Sequence, residues 1–241
     1  LLGNGWMKKE KEQLIPCLLQ LIRSSQRLFG FVQTSIVSEK RLEYRALLIH
    51  YFLEVADEML RLNNFEGMKA VFGALQSTPI YRLKDSWDGL TADDNIIKDK
   101  LTVLCDQEKN FYRLREVMKM AVPPCLPYIG STLSDLVFTA DGNKEAENQM
   151  INWFKVRSIG NLIKEILVKQ TIPYPFKRYN VLMTYYEAVL INENQDSLYD
   201  QSLGLEMKKG EKDKVFSNDD EKKIAKSKKD ATSRTDRKSV V

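Results

Sequence analysis

Leu42-Glu43-Tyr44-Arg45-Ala46-Leu47-Leu48-Ile49-His50-Tyr51-Phe52-Leu53-Glu54-Val55-Ala56-Asp57-Glu58-Met59-Leu60 is the stretch on which the fold class turns. Leu42, Ala46, Ile49, Leu53, Ala56 and Leu60 recur at alternating spacings of four and three, which places them on one face of an α-helix. Ser38 with Glu39 reads as the start of that helix, a cap followed by an acid in the first turn, and Asn63-Asn64 as its stop. Outward from it the same period returns. Phe65, Met68, Phe72 and Leu75 predict a second helix, and Ile97, Leu101, Leu104, Phe111, Leu114 and Met118 a further helical region.

Pro123-Pro124-Cys125-Leu126-Pro127 forbids helix, because proline removes a donor and clashes with the preceding turn. Helical pattern resumes at Leu133, Leu136 and Val137 and stops at the turn signal Asp141-Gly142-Asn143. Two more helices are expected, from about Ile151 to Lys169 and from Phe176 to Leu190, on either side of Pro173-Tyr174-Pro175. No strand-type alternation and no internal repeat is evident. The expectation is an all-α single domain over residues 1–209, followed by a tail over 210–241 too poor in large apolar side chains to offset its ordering entropy.

The 241 residues are 43% hydrophobic and 29% charged, enough for a well-buried core. No apolar run approaches the roughly 18 residues that cross a bilayer. The start, Leu1-Leu2-Gly3-Asn4-Gly5, has no initiator Met and no signal-peptide pattern, so it reads as a fragment. Cys17, Cys105 and Cys125 are too few and too scattered for a disulfide framework, which points to a reducing, cytoplasmic setting. One histidine, His50, and no close Cys pair argue against a zinc site and against a positioned catalytic base, so neither a metal nor a cofactor is expected. His50 reads as a surface residue and Cys125 as a small packed one. The net charge is +4; the tail from 210 on holds ten Lys/Arg against seven Asp/Glu, leaving the body close to neutral. That excludes the clustered basic face on which nucleic-acid binding depends. Lys222-Lys223 and Lys228-Lys229 could touch an anionic membrane, but interspersed acids weaken such recruitment.

Four further stretches carry a resemblance. Leu62-Asn63-Asn64-Phe65 leading into Ser77-Thr78-Pro79-Ile80-Tyr81-Arg82-Leu83, then Pro123-Pro124-Cys125-Leu126-Pro127-Tyr128-Ile129-Gly130, then Leu133-Ser134-Asp135-Leu136 with Asp141-Gly142-Asn143, then Ile151-Asn152-Trp153, stand in the order and spacing of one family. Together with the closing Leu198-Tyr199-Asp200-Gln201-Ser202-Leu203, they resemble the catalytic domain of Ras-family guanine nucleotide exchange factors of the Son of Sevenless type. The resemblance spans about Trp6 to Met207 and lacks the family's first helix and its companion N-terminal module.

The resemblance implies a helical bowl with a protruding helical hairpin, and a non-covalent activity. Such a domain binds a Ras-like small GTPase, of Ras, Rap or Ral type, and opens its nucleotide site so that GDP leaves. It implies that Val137 and Asp141 are the hairpin wedge. Val137 stands where an apolar side chain is directed at the Mg²⁺ site, and Asp141 where Ras-directed relatives carry Glu. It assigns Ile22, Arg23, Gln26, Lys69, Tyr81, Tyr128, Asp135 and Phe138 to the GTPase-binding surface, with Lys69 where relatives carry an apolar residue. It leaves Asn152, Trp153 and Arg157 as braces of the hairpin base. Periodicity alone makes Val137, four residues from Leu133, a core position, and makes Asp141 an ordinary turn residue. A GTPase-binding scaffold without exchange activity fits the same motifs.

Overall fold

The computed structural model describes residues 8–143 and 151–207, and within them regular structure is helical throughout. The charged tail and its lysine pairs lie outside the described residues. A single turn, α1 (Lys11–Leu14), precedes α2 (Pro16–Ser38), which opens on a proline whose missing N–H costs nothing at that position. A corner leads to α3 (Leu42–Arg61), and a tighter one to α4 (Phe65–Leu75). In that second corner Asn63 takes the left-handed conformation with φ 57°, and Asn64 caps α4 by accepting the Gly67 N–H at 2.9 Å.

The core sits around α4. Nine of its eleven residues are buried, among them Phe65, Met68, Val71, Phe72 and Leu75, because α2 and α3 pack on it from two sides. Val32 and Ile36 from α2, and Ile49, Leu53 and Ala56 from α3, join the apolar cluster, to which Leu101, Leu114 and Leu198 add from later in the chain. Short helices α5 (Thr78–Tyr81) and α6 (Lys84–Asp88) then lead to α7 (Ala92–Cys105) and α8 (Tyr112–Met120). The proline segment is strapped onto the α3–α4 corner. Leu126 N–H donates to Asn63 O at 3.0 Å, Phe65 N–H donates to Leu126 O at 2.9 Å, and the Pro123–Pro124 peptide is cis. This strap delivers the chain to α9 (Ile129–Gly142), which pairs with α10 (Trp153–Lys169) as a helical hairpin beside α8. Then α11 (Asn180–Ala188) and α12 (Gln195–Leu205) return to α2, where the Arg27 guanidinium donates to the last carbonyls of the α11 region, those of Tyr186, Glu187 and Val189. None of the described helices is long and apolar enough to cross a membrane.

The all-α expectation holds, with local corrections. Ser38 does not start a helix: it ends α2, whose apolar face runs on through Ile36 and Val37, and α3 begins at Leu42 without a side-chain cap. Leu42 is exposed and Ala46 half-buried, so the stripe's first buried member is Ile49, and a charged residue outside the stripe, Arg45, is buried beside it. The region from Ile97 to Met118 is two helices, broken where Lys109, Asn110 and Phe111 all take positive φ. The helix expected over 176–190 is shorter, because Pro175 and the extended residues after it keep helix from forming before Asn180.

Arg45 belongs to a buried ion pair that closes the fold. Its side chain and that of Glu206 are almost wholly covered, with Nη2 and Oε1 3.3 Å apart. Glu206 also accepts the Ser86 hydroxyl at 2.7 Å and the backbone N–H of Asp85 and Ser86, while Arg45 donates to the carbonyls of Glu39 and Lys40. Every strong polar group there is satisfied, which a buried pair requires. The folded body therefore extends to at least Glu206. His50 is likewise not a plain surface residue: its Nδ1 lies 2.6 Å from Asp94 Oδ1 and joins α3 to α7.

Candidate functional site

Three of the expected binding residues meet in one cleft. Gln26 on α2, Lys69 on α4 and Tyr128 at the head of α9 line an open depression of about 560 Å³, together with Ser25, Phe29, Glu66, Asn192 and Glu193. Ile22 and Arg23 stand one turn earlier on α2, half-buried and exposed respectively, with Arg23 paired to Glu12. They extend the same helix face beyond the cleft, since positions three and four apart are neighbours on a helix. Tyr81 does not join them. It ends α5 on another depression lined by Lys84, Trp87, Asn95 and Lys98, with the Lys84 ammonium 3.8 Å from its ring centroid.

The left-handed run at 109–111 sets a ring behind two of the cleft's lining residues. It turns the Phe111 ring to meet the Tyr128 ring edge-on at 5.8 Å, and the Lys69 ammonium lies 4.7 Å from the centroid of Phe111. Lys69 also donates to Cys105 O at 3.4 Å. The Lys69 cation on a largely buried helix is thus accommodated by an aromatic face and a carbonyl. Burial pushes the Tyr128 phenol above its ordinary range, and the Glu66 carboxylate and the Cys105 thiol add to the shift. Burial also raises the Cys105 thiol, against the opposing pull of Lys69. Neither group is a nucleophile at neutral pH. Cys125 is buried as well, with its thiol raised by burial, in keeping with a packing role.

The hairpin residues lie on α9. Asp135 is held by Arg115 of α8 through two hydrogen bonds, 2.5 and 3.0 Å long, so its carboxylate is engaged within the domain. Leu136 is the buried residue of this stretch. Val137 is half-buried, Phe138 is 71% exposed beside Ser158 and Leu162 of α10, and Asp141 is exposed in the last turn. Val137 and Asp141 are four residues apart and share one face of the helix. Asn152 caps α10 by accepting the Lys155 N–H at 3.1 Å, while the Trp153 ring is exposed.

Sequence reasoning missed Glu66. It lies 7% exposed on the cleft wall, accepts the Ser25 hydroxyl at 2.7 Å and accepts the Ile129 N–H at 2.9 Å. The available signal was a carboxylate in a run, Phe65 to Leu75, that is otherwise apolar apart from Lys69. Among the described residues no three His, Cys, Asp or Glu side chains gather as a metal site. The cleft has aromatic and polar groups at its wall and a helix rising from its edge.

Comparison with known proteins gives that arrangement a family. Residues 1–157 match the RasGEF domain. The chain is 33% identical over 206 residues to Ras-specific guanine nucleotide-releasing factor 2 of Danio rerio, covering 85% of this chain and 17% of that protein. It is 34% identical over 200 residues to cell division control protein 25 of Saccharomyces cerevisiae, covering 81% of this chain and 13% of that protein. With Ras guanine nucleotide exchange factor Y of Dictyostelium discoideum it shares 36% identity over 173 residues, 71% of this chain and 12% of the other. The chain thus spans less than a fifth of the length of these relatives. The motifs, the helical bowl with its cleft and hairpin, and a family match over most of the chain agree: the chain belongs to the RasGEF domain family.

Proposed function

We propose that this domain is a guanine nucleotide exchange factor for a Ras-like small GTPase. The partner docks in the cleft of Gln26, Lys69 and Tyr128, and the α9–α10 hairpin opens its nucleotide site. The observation that carries this reading is contiguity. Tyr128 belongs to the cleft and immediately precedes α9, so a docked partner lies alongside the helix that bears Val137 and Asp141. At 1.5 Å per residue, Val137 stands about 14 Å along the axis from Tyr128, within the footprint of a small globular partner.

The chemistry is linkage and not bond-making. A protein that binds the nucleotide-free form better than the loaded form weakens nucleotide binding by the same factor. A nanomolar nucleotide is held by about 12 kcal/mol, so a broad interface is needed to compete with it. The cleft and the exposed face of α2 provide area, and Val137 and Asp141 act where the phosphates and their Mg²⁺ are held. Recruitment to a membrane surface would fall to the charged tail.

Release of a fluorescent GDP analogue from Ras, Rap and Ral proteins tests the proposal and identifies the partner. Acceleration of one of them supports exchange. Tight binding to a nucleotide-free GTPase with no acceleration of release would favour the scaffold reading, to which the half-buried state of Val137 lends weight.

A further inference from the structure

We propose that the buried Glu66 carboxylate is a positioning residue, tying the docking cleft to the first turn of the hairpin helix. The proposal rests on the exchange reading and extends it to how the hairpin is aimed.

Helix α9 begins without a cap of its own. Tyr128, at its cap position, offers no side-chain acceptor, and its first turn holds no acid. The N–H groups of a first turn have no partner within the helix, so an outside acceptor has to serve. Glu66 serves from α4: its Oε2 accepts the Ile129 N–H at 2.9 Å, and its Oε1 accepts the Ser25 hydroxyl of α2 at 2.7 Å. A carboxylate at a helix N-terminus is favoured by the helix dipole, and a charge-assisted bond is stronger than a neutral one. One side chain thus connects α2, the central helix and α9.

A second contact fastens the same turn. A Cβ placed on Gly130 would lie 2.7 Å from the Tyr128 ring and its hydroxyl, so the ring is folded back on α9 in space that only glycine leaves open. Ser25, Glu66 and Tyr128 all line the cleft. Whatever fills it presses on the groups that hold α9 in place. Other polar ties of the hairpin, such as Arg115 to Asp135 and Lys169 to Ala121 O, lead to α8 and the segment after it and not to the cleft.

Two substitutions in the full chain separate positioning from packing. In Glu66→Ala both bonds vanish. In Glu66→Gln the amide oxygen can accept the Ile129 N–H while the amide nitrogen donates to Ser25 Oγ, keeping the geometry and removing the charge. We expect Glu66→Ala to speed hydrogen exchange of the amides at 129–132 by about ten- to hundredfold, the worth of a hydrogen bond to a charged group. It should slow GDP release at saturating exchange factor by about tenfold and leave affinity for nucleotide-free GTPase within about threefold, because Glu66, 7% exposed, contributes little of the cleft's accessible surface. Glu66→Gln should recover most of both losses. Parental exchange of the 129–132 amides in Glu66→Ala would overturn the proposal. So would a release rate that falls only as affinity or folded fraction falls. Should Glu66→Ala not fold, Ser25→Ala removes one of the two bonds, and unaltered protection and release in that variant would overturn the proposal equally. Failure of the parent chain to release nucleotide from any GTPase in the panel would count against the exchange reading, while the hydrogen-exchange measurement would still decide the link from cleft to helix.

Discussion

Helices α4 and α10 have similar apolar patterns in sequence and opposite situations in the fold. α4 buries nine of eleven residues, whereas α10, six residues longer, buries none of its seventeen. The difference is in their neighbours. α4 is enclosed by α2 and α3, while α10 leans on α9 along one half-buried stripe through Ile159, Leu162 and Ile166 and leaves Trp153, Phe154, Leu167 and Val168 exposed. Hydrophobic stabilisation follows area removed from water, so the bowl carries the stability and the hairpin contributes little. A lever that has to yield against a partner is best drawn from the less stable part of a fold. Substitutions in the bowl should therefore change unfolding free energy, and substitutions in the hairpin should change what the domain does.

The largest effect is expected at the centre of the bowl. Phe65 is fully buried at the start of α4, and Phe65→Ala should destabilise the domain by about 4 kcal/mol in urea unfolding, through lost transfer energy and the cavity left behind. A loss below about 1 kcal/mol would mean that stability is not concentrated there. Next comes the ion pair that closes the fold. Glu206→Ala strands Arg45 without its carboxylate and removes an acceptor from Ser86 and Asp85, so a loss of about 3 kcal/mol is expected. An unchanged midpoint would show that the C-terminal closure is dispensable.

Those two sites also mark what could be read from sequence. Phe65 was legible because helical period and burial coincide there. The Arg45–Glu206 pair was not: Arg45 stands between apolar residues, and its partner is 161 positions away, a separation that no local pattern encodes. The same limit explains Glu66, whose partners come from α2 and α9. The break at 109–111 was missed for a different reason. Apolar spacing continued across it, but the core needed Phe111 turned toward Lys69 and Tyr128, and tertiary packing outweighed local propensity. Helix existence was therefore readable, and helix ends less so. At the site, the motifs picked out Gln26, Lys69 and Tyr128, which do share a cleft, whereas Tyr81 faces elsewhere because α5 turns away.

At the junction of the two regions, Tyr128→Ala should cost about 2 kcal/mol of binding to a nucleotide-free GTPase, roughly thirtyfold, as truncation of an aromatic anchor does. Titration calorimetry beside a thermal melt separates the possibilities. A collapsed melt with normal binding by the remaining folded protein would make Tyr128 core alone. Further out, Val137→Ala and Asp141→Asn should each change unfolding free energy by less than about 1 kcal/mol, because Val137 is only half-buried and Asp141 is exposed, while slowing GDP release about tenfold. If Val137→Ala instead costs several kcal/mol of stability, that residue belongs with the bowl. If both variants release GDP at the parent's rate, the hairpin is not the wedge.

The smallest effect belongs to the bowl's one titrating histidine among the described residues. The hydrogen bond to Asp94 raises the pKa of His50 above its ordinary 6.5; burial partly opposes this, and the Asp94 and Glu54 charges add to the rise. Burial alone would raise Asp94, but the bonds from His50 and Thr91 outweigh it and hold the carboxyl below its ordinary 3.8. The signs then fix a window. The His50 contribution is complete below pH 6.5 and disappears as pH rises through the folded-state pKa. The Asp94 contribution is complete above pH 3.8 and disappears as pH falls through its own folded-state value. The contact thus stabilises most between about pH 4 and 6.5. Because the His50 side chain is 38% exposed, solvent screening should keep its share below about 1 kcal/mol. Urea unfolding of the parent and of His50→Gln at pH 5.5 and 8.5 gives the check: the parent's advantage should be larger at the lower pH. An equal or reversed difference would mean that the α3–α7 contact holds by packing and by a neutral imidazole N–H donated to Asp94, which keeps its place in the Thr91 capping box of α7.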